Sequence, residues 1–115
     1  MRFKVIIAMV DDAHQEAVIA AAKKAGATGV TILNARGEGI HEQKSFLGLS
    51  MDTKRDLILF IVEDFHANPI MDAIYEAGHF NEKGTGIAFS WTLDRAIGFE
   101  SQMETLEEEA QENYI

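Results

Sequence analysis

The sequence has no cysteine, one proline and one tryptophan among its 115 residues. Without thiols, neither a disulfide nor a thiolate metal centre can hold the chain together, so hydrophobic burial must do so, alone or shared with other subunits. Cations are scarce as well: ten Lys and Arg face 19 Asp and Glu, for a formal charge of −9. Nucleic-acid binding needs clustered Lys and Arg, and no such cluster is present. No apolar run approaches the ~20 residues that span a bilayer. The first apolar run meets Asp11 and Asp12 before it can act as a signal peptide. A cytoplasmic protein with no direct membrane insertion is expected.

What is present is the balance of a globular domain, 47% apolar and 25% charged. The length suits one domain. The charge is uneven, because residues 100–115 hold six acids and no base, leaving 13 acids against ten bases elsewhere. This acidic C-terminal tail reads as a solubilising or docking extension.

Residues 3–10 (FKVIIAMV) predict a strand. Asp12 and Gln15 then have the spacing of a capping box, and the helix they open runs to about Ala25, with Gly26 as its left-handed stop. Residues 28–36 predict a second strand and 55–63 a third. Between them, about 37–53, the pattern breaks, and a loop this long in a compact domain is usually functional. Asn68-Pro69 reads as the start of a second helix that Gly78 ends. A short loop, about 79–86, leads to a strand at 87–92, and residues 94–97 suggest one helical turn. The order βαββαβ predicts an α+β, ferredoxin-like domain over 1–99, an antiparallel sheet with both helices on one face.

Strand faces alternate with period two. Phe3, Val5, Ile7 and Met9 share one face of the first strand, and Ile6, Ala8 and Val10 the other. In the third strand Leu57, Leu59 and Ile61 oppose Ile58, Phe60 and Val62. Both faces are apolar, yet two helices cover only one. The other would be a larger apolar patch than soluble monomers expose, so association is expected; the alternative is that the C-terminal segment folds back and covers that face.

Gly84-Thr85-Gly86 lies between a helix and a strand, where backbone N–H groups can converge on an anion and Lys83 can add charge; a plain glycine turn is the alternative. GATGVT (26–31), ARGEG (35–39) and GTGIAFSWTLDRAIGF (84–99), in this order within βαββαβ, resemble the nitrogen-regulatory PII family. That resemblance covers residues 1 to about 99 and implies a homotrimeric signalling protein, not an enzyme. Adenine nucleotides would occupy clefts between its subunits. A T-loop, here about 37–53, would contact a partner such as a transporter or enzyme. It places Thr31 near the adenine, Gly37 and Gly39 at the opening of the T-loop, and Gly84-Thr85-Gly86 in a phosphate-cradling B-loop. The apolar Phe46, Leu47 and Leu49 suggest the partner-docking tip.

The departures are specific. Ile87 stands where the family has a lysine, Ile40 and His41 where it has arginine and glutamine, and Gly98 and Glu100 where it has closing arginines. Each lost charge-assisted contact forgoes roughly 1.5–3 kcal/mol, so tight ATP binding in the usual mode is not expected and the ligand is open: an adenylate or a small anion. Arg36, Lys44, Arg55 and Arg95 are replacement cations, unless they are solvated strand-end charges. His41, His66 and His79 lack zinc-site spacing, His14 reads as an exposed helix residue, and Glu63-Asp64 as a solvated strand end. No nucleophile elbow or HExxH occurs. Two rival readings are a divalent-metal-responsive protein on the same trimeric fold and a ligand-free interaction module.

Overall fold

The computed structural model describes residues 2–35, 45–46, 49–50 and 55–98. Its elements are β1 (Phe3–Asp11), α1 (Gln15–Lys24), β2 (Thr31–Ala35), β3 (Ser45–Phe46), β4 (Leu49–Ser50), β5 (Arg55–Glu63), α2 (Asp64–Ala77) and β6 (Gly86–Thr92). The sheet order is β2-β5-β1-β6, and every neighbouring pair is antiparallel. This is the ferredoxin-like α+β architecture expected of the βαββαβ order. Within the long connection, β3 and β4 form a small hairpin that the sequence pattern did not signal.

Register explains the core. Ile6 pairs with Phe60 and Ala8 with Ile58, so both residues of each pair project to the same side. On that side Ile6, Ala8, Val10, Ile58 and Phe60 are fully buried, together with Val18 and Ala22 of α1 and Ile70 and Ile74 of α2. Val5 pairs with Ile61 and Trp91, and Ile7 with Leu59 and Phe89, on the opposite side. There Phe89 and Trp91 stack at 6.1 Å, and Leu33 and Trp91 are 52% and 46% exposed. Phe3, Val5 and Glu63 are buried at one end of this side.

Helix ends follow local chemistry in one case and distant contacts in others. The stop of α1 is a Schellman motif: Ala27 N–H donates to Ala22 O and Gly26 N–H to Lys23 O, with Gly26 at φ 125°. A Cβ on Gly26 would also lie 2.5 Å from His66 Nδ1. The start of α1 differs from the capping box expected at Asp12. Asp11 accepts from the His14 amide, residues 12–14 make a 3₁₀ turn, and Gln15 donates instead to Asp56 Oδ2 at 3.0 Å.

Helix α2 begins at Asp64, five residues before the Asn68-Pro69 start that the local signal suggests, and contains Pro69. Asp64 N–H donates to Arg2 O, and His66 and Ala67 are buried, so tertiary contacts hold a turn that proline alone would end. At the other end Gly78 is the cap but has φ −86°; the left-handed residue is His79, at φ 55°. Gly78 is small for another reason, since a Cβ would meet the Phe80 ring at 2.3 Å. Asp94 and Ile97 are bends, and residues 94–97 do not form the expected helical turn.

Candidate functional site

The α2–β6 connection is braced from within. Arg55 opens β5, immediately after the long connection, and is only 5% exposed. Its Nη2 donates to Gly84 O at 2.9 Å and its Nη1 to Thr85 O at 3.1 Å. A guanidinium can be buried where carbonyls satisfy its donors. Arg55 is therefore neither a solvated strand-end charge nor a cation held out for a ligand: it fixes the direction of two loop carbonyls.

Thr85 is also committed inside the loop. Its hydroxyl donates to His79 O at 2.7 Å and lies 3.1 Å from Glu82 O, and its amide donates to Glu82 O at 3.4 Å. The two glycines play different parts. Gly84 has φ 82° with open space around it, so it supplies backbone shape at an accessible point. Gly86 is packed, for a Cβ there would come within 2.5 Å of Phe80 and 2.6 Å of Met9 O. Lys83 beside them is exposed. Ile87, which the resemblance sets at the position of the family lysine, pairs with Met9 on the side of the sheet opposite the helices.

Thr31 lies elsewhere. It is exposed and pairs with Leu59, in the row that continues through Ile7 to Phe89. Thr31 is thus on one edge strand and Gly86 on the other, three strand spacings apart, or about 14 Å. One chain does not bring Thr31 and the glycine loop together. Arg36, Gly37, Gly39, Lys44 and Leu47 lie outside the described residues, while Phe46 and Leu49 pair across the β3–β4 hairpin. Near the Thr31 end, Phe3, Gly26, Thr28, Ile61, Val62, Glu63 and His66 line a cavity of about 10 Å³, room for one water. Glu63 is buried here, contrary to the solvated strand end expected of it.

Sequence reasoning weighs Arg55 as an anion ligand and misses its bracing role, because its partners are carbonyls about 30 residues away. One signal was available: an arginine opening an apolar strand is buried only if its head group finds acceptors. His14 also differs from the exposed helix residue expected. It is partly buried, with Nδ1 against Asp11 Oδ1 and its ring centroid 5.1 Å from that of His79. Among the described residues no three His, Asp or Glu side chains converge as a ready metal site, and no helix is long and apolar enough to cross a membrane.

A four-stranded antiparallel sheet, with both helices of the described residues on one side, and a long excursion between its second and third large strands define a small ferredoxin-like domain. The family model for nitrogen regulatory protein P-II matches residues 3–102, and the chain belongs to that family. Family members are regulatory rather than catalytic, generally trimeric, and act on partner proteins. Solved structures that share the fold include the following two. A PII-like signalling protein from Thermus thermophilus has a TM-score of 0.63 at 20% identity, over 88% of this chain and 95% of its own. CPII from Thiomonas intermedia, solved with ADP, AMP and acetate, has a TM-score of 0.59 at 22% identity, over 82% of this chain and 90% of its own. No curated protein sequence matches this chain.

Proposed function

We propose that this chain is a trimeric P-II-type signalling protein that senses a small anionic ligand, with an adenylate such as ADP or AMP the first choice, in clefts between its subunits. The observation that carries the proposal is the exposed apolar group on the side of the sheet opposite α1 and α2. Leu33, Ile61, Phe89 and Trp91 are large, apolar and exposed there in the single chain. Water contact at such residues is unfavourable, and copies packed sheet to sheet would remove it.

Assembly also addresses the separation of Thr31 from Gly84-Thr85-Gly86. Those elements sit on opposite edges of one sheet, so a cleft using both takes one edge from each of two subunits. Arg36, Gly37, Gly39 and Lys83 would flank that cleft. The region 37–53, with Phe46, Leu47 and Leu49, would contact the regulated transporter or enzyme and respond to occupancy. The nucleotides in CPII from Thiomonas intermedia favour an adenylate by likeness of fold. A cytoplasmic location fits such a role.

A second reading, a ligand-free interaction module, is favoured by one feature: the hydroxyl and amide of Thr85 are engaged inside the loop. Calorimetry of the full chain against ATP, ADP, AMP, cyclic AMP, 2-oxoglutarate and bicarbonate separates the two. Saturable binding that weakens at least tenfold in Thr31→Val supports the sensor. Silence across the panel supports the module.

A further inference from the structure

The rim that carries the glycine loop holds a group of side chains that the nucleotide reading does not use. Asp11 ends β1, His14 closes the 3₁₀ turn before α1, and His79 and Glu82 lie in the α2–β6 connection. We infer that His14 and His79 form a binding site for a transition-metal dication, of which Zn²⁺ is the probe.

The spacing suits one shared ion. The two ring centroids are 5.1 Å apart with a 56° tilt. Two imidazoles on one tetrahedral ion, with Zn–N about 2.0–2.1 Å, have centroids roughly 5 Å apart. The ring is also held. Asp11 Oδ1 contacts His14 Nδ1, leaving Nε2 as the metal-binding nitrogen; a carboxylate behind a ligating histidine fixes the orientation of its ring. Glu82 Oε1 is 3.9 Å from His79 Nδ1 and 64% exposed, so it has room to turn toward an ion. Because no three such groups converge already among the described residues, Glu82 or water would complete the shell on binding. Imidazole with one carboxylate selects Zn²⁺, Ni²⁺ or Cu²⁺ over Mg²⁺ and Ca²⁺. The His14 and His79 side chains are 27% and 55% exposed, so an ion can reach them.

The ion would act on more than two rings. His79 O accepts from Thr85, whose carbonyl accepts from Arg55, and Gln15, next to His14, holds Asp56, next to Arg55. Metal would clamp the start of α1 to the α2–β6 connection and so stiffen the strand end at which the chain returns from residues 36–54. The site lies within one chain and requires neither nucleotide nor trimer, so its failure and theirs are distinguishable.

The test is a Zn²⁺ titration of the full chain by calorimetry, with His14→Gln, His79→Asn and His41→Gln. Asn tolerates the positive φ at position 79. One ion per chain is expected, with binding at least tenfold weaker in the first two variants and unchanged in the third. Ring-¹⁵N spectra of the unaltered chain keep the inference open to refutation should a variant fail to fold: Zn²⁺ should move the His14 and His79 resonances together. No binding, binding unaffected by both substitutions, or shifts confined to His41 or His66 would overturn it.

Discussion

The two sides of the sheet carry similar residues and have different surroundings. Ile6, Ala8, Ile58 and Phe60 face α1 and α2 and are fully buried. On the reverse, Leu33, Ile61, Phe89 and Trp91 are built from the same aliphatic and aromatic groups, yet nothing among the described residues of the same chain buries them. Burial of a side chain contributes about 1.5–3 kcal/mol wherever it occurs. The helix side spends that energy on folding one chain. On the proposed assembly, the reverse side would release it when copies associate. One strand pattern, read at two parities, would then encode both tertiary and quaternary structure.

Substitutions on each side can break this contrast. Phe60→Ala should have the largest effect, a loss of about 3–5 kcal/mol, because it opens a cavity in a packed core. Denaturant midpoints should fall at every protein concentration. Trp91→Glu should act in the other way: the chain stays folded, but its mass drops to that of a single subunit. The unaltered chain should melt at higher temperature as concentration rises, and Trp91→Glu should lose that dependence.

Smaller effects sharpen the account of the loop at the sheet's end. Arg55→Ala removes charged hydrogen bonds to Gly84 O and Thr85 O and should cost about 1.5–3 kcal/mol. Amide exchange should accelerate most over residues 79–86, a pattern a general loss of stability would not give. Thr85→Val keeps the shape and removes one donor, and should cost about 1 kcal/mol with exchange changes limited to the turn around His79 and Glu82.

The contrast between the sides was legible in the sequence because it depends only on alternation. Ile6 and Ile7 must face opposite ways once the segment is a strand, and the register pairs each with an apolar partner. The stop of α1 at Gly26 was legible too, since a Schellman motif involves only residues 22–27. What escaped was set by distant groups. Asn68-Pro69 looks like a helix start, but the Arg2 carbonyl and burial of His66 move that start to Asp64. Gln15 looks like a capping partner until Asp56, 41 residues on, takes its amide. At the candidate site, the glycines were visible as a motif, whereas the division of labour between open Gly84 and packed Gly86 depends on Phe80 and Met9. That Thr31 and the glycine loop occupy opposite edges follows from strand order, which no local pattern states.

Sedimentation equilibrium of the full chain in dilute buffer at micromolar concentration bears most directly on the side of the sheet opposite the helices. A folded species of three subunit masses, reduced to one by Trp91→Glu, is the expected result. A well-folded single chain across the whole concentration range would contradict it, because Phe89 and Trp91 would then face water without any partner.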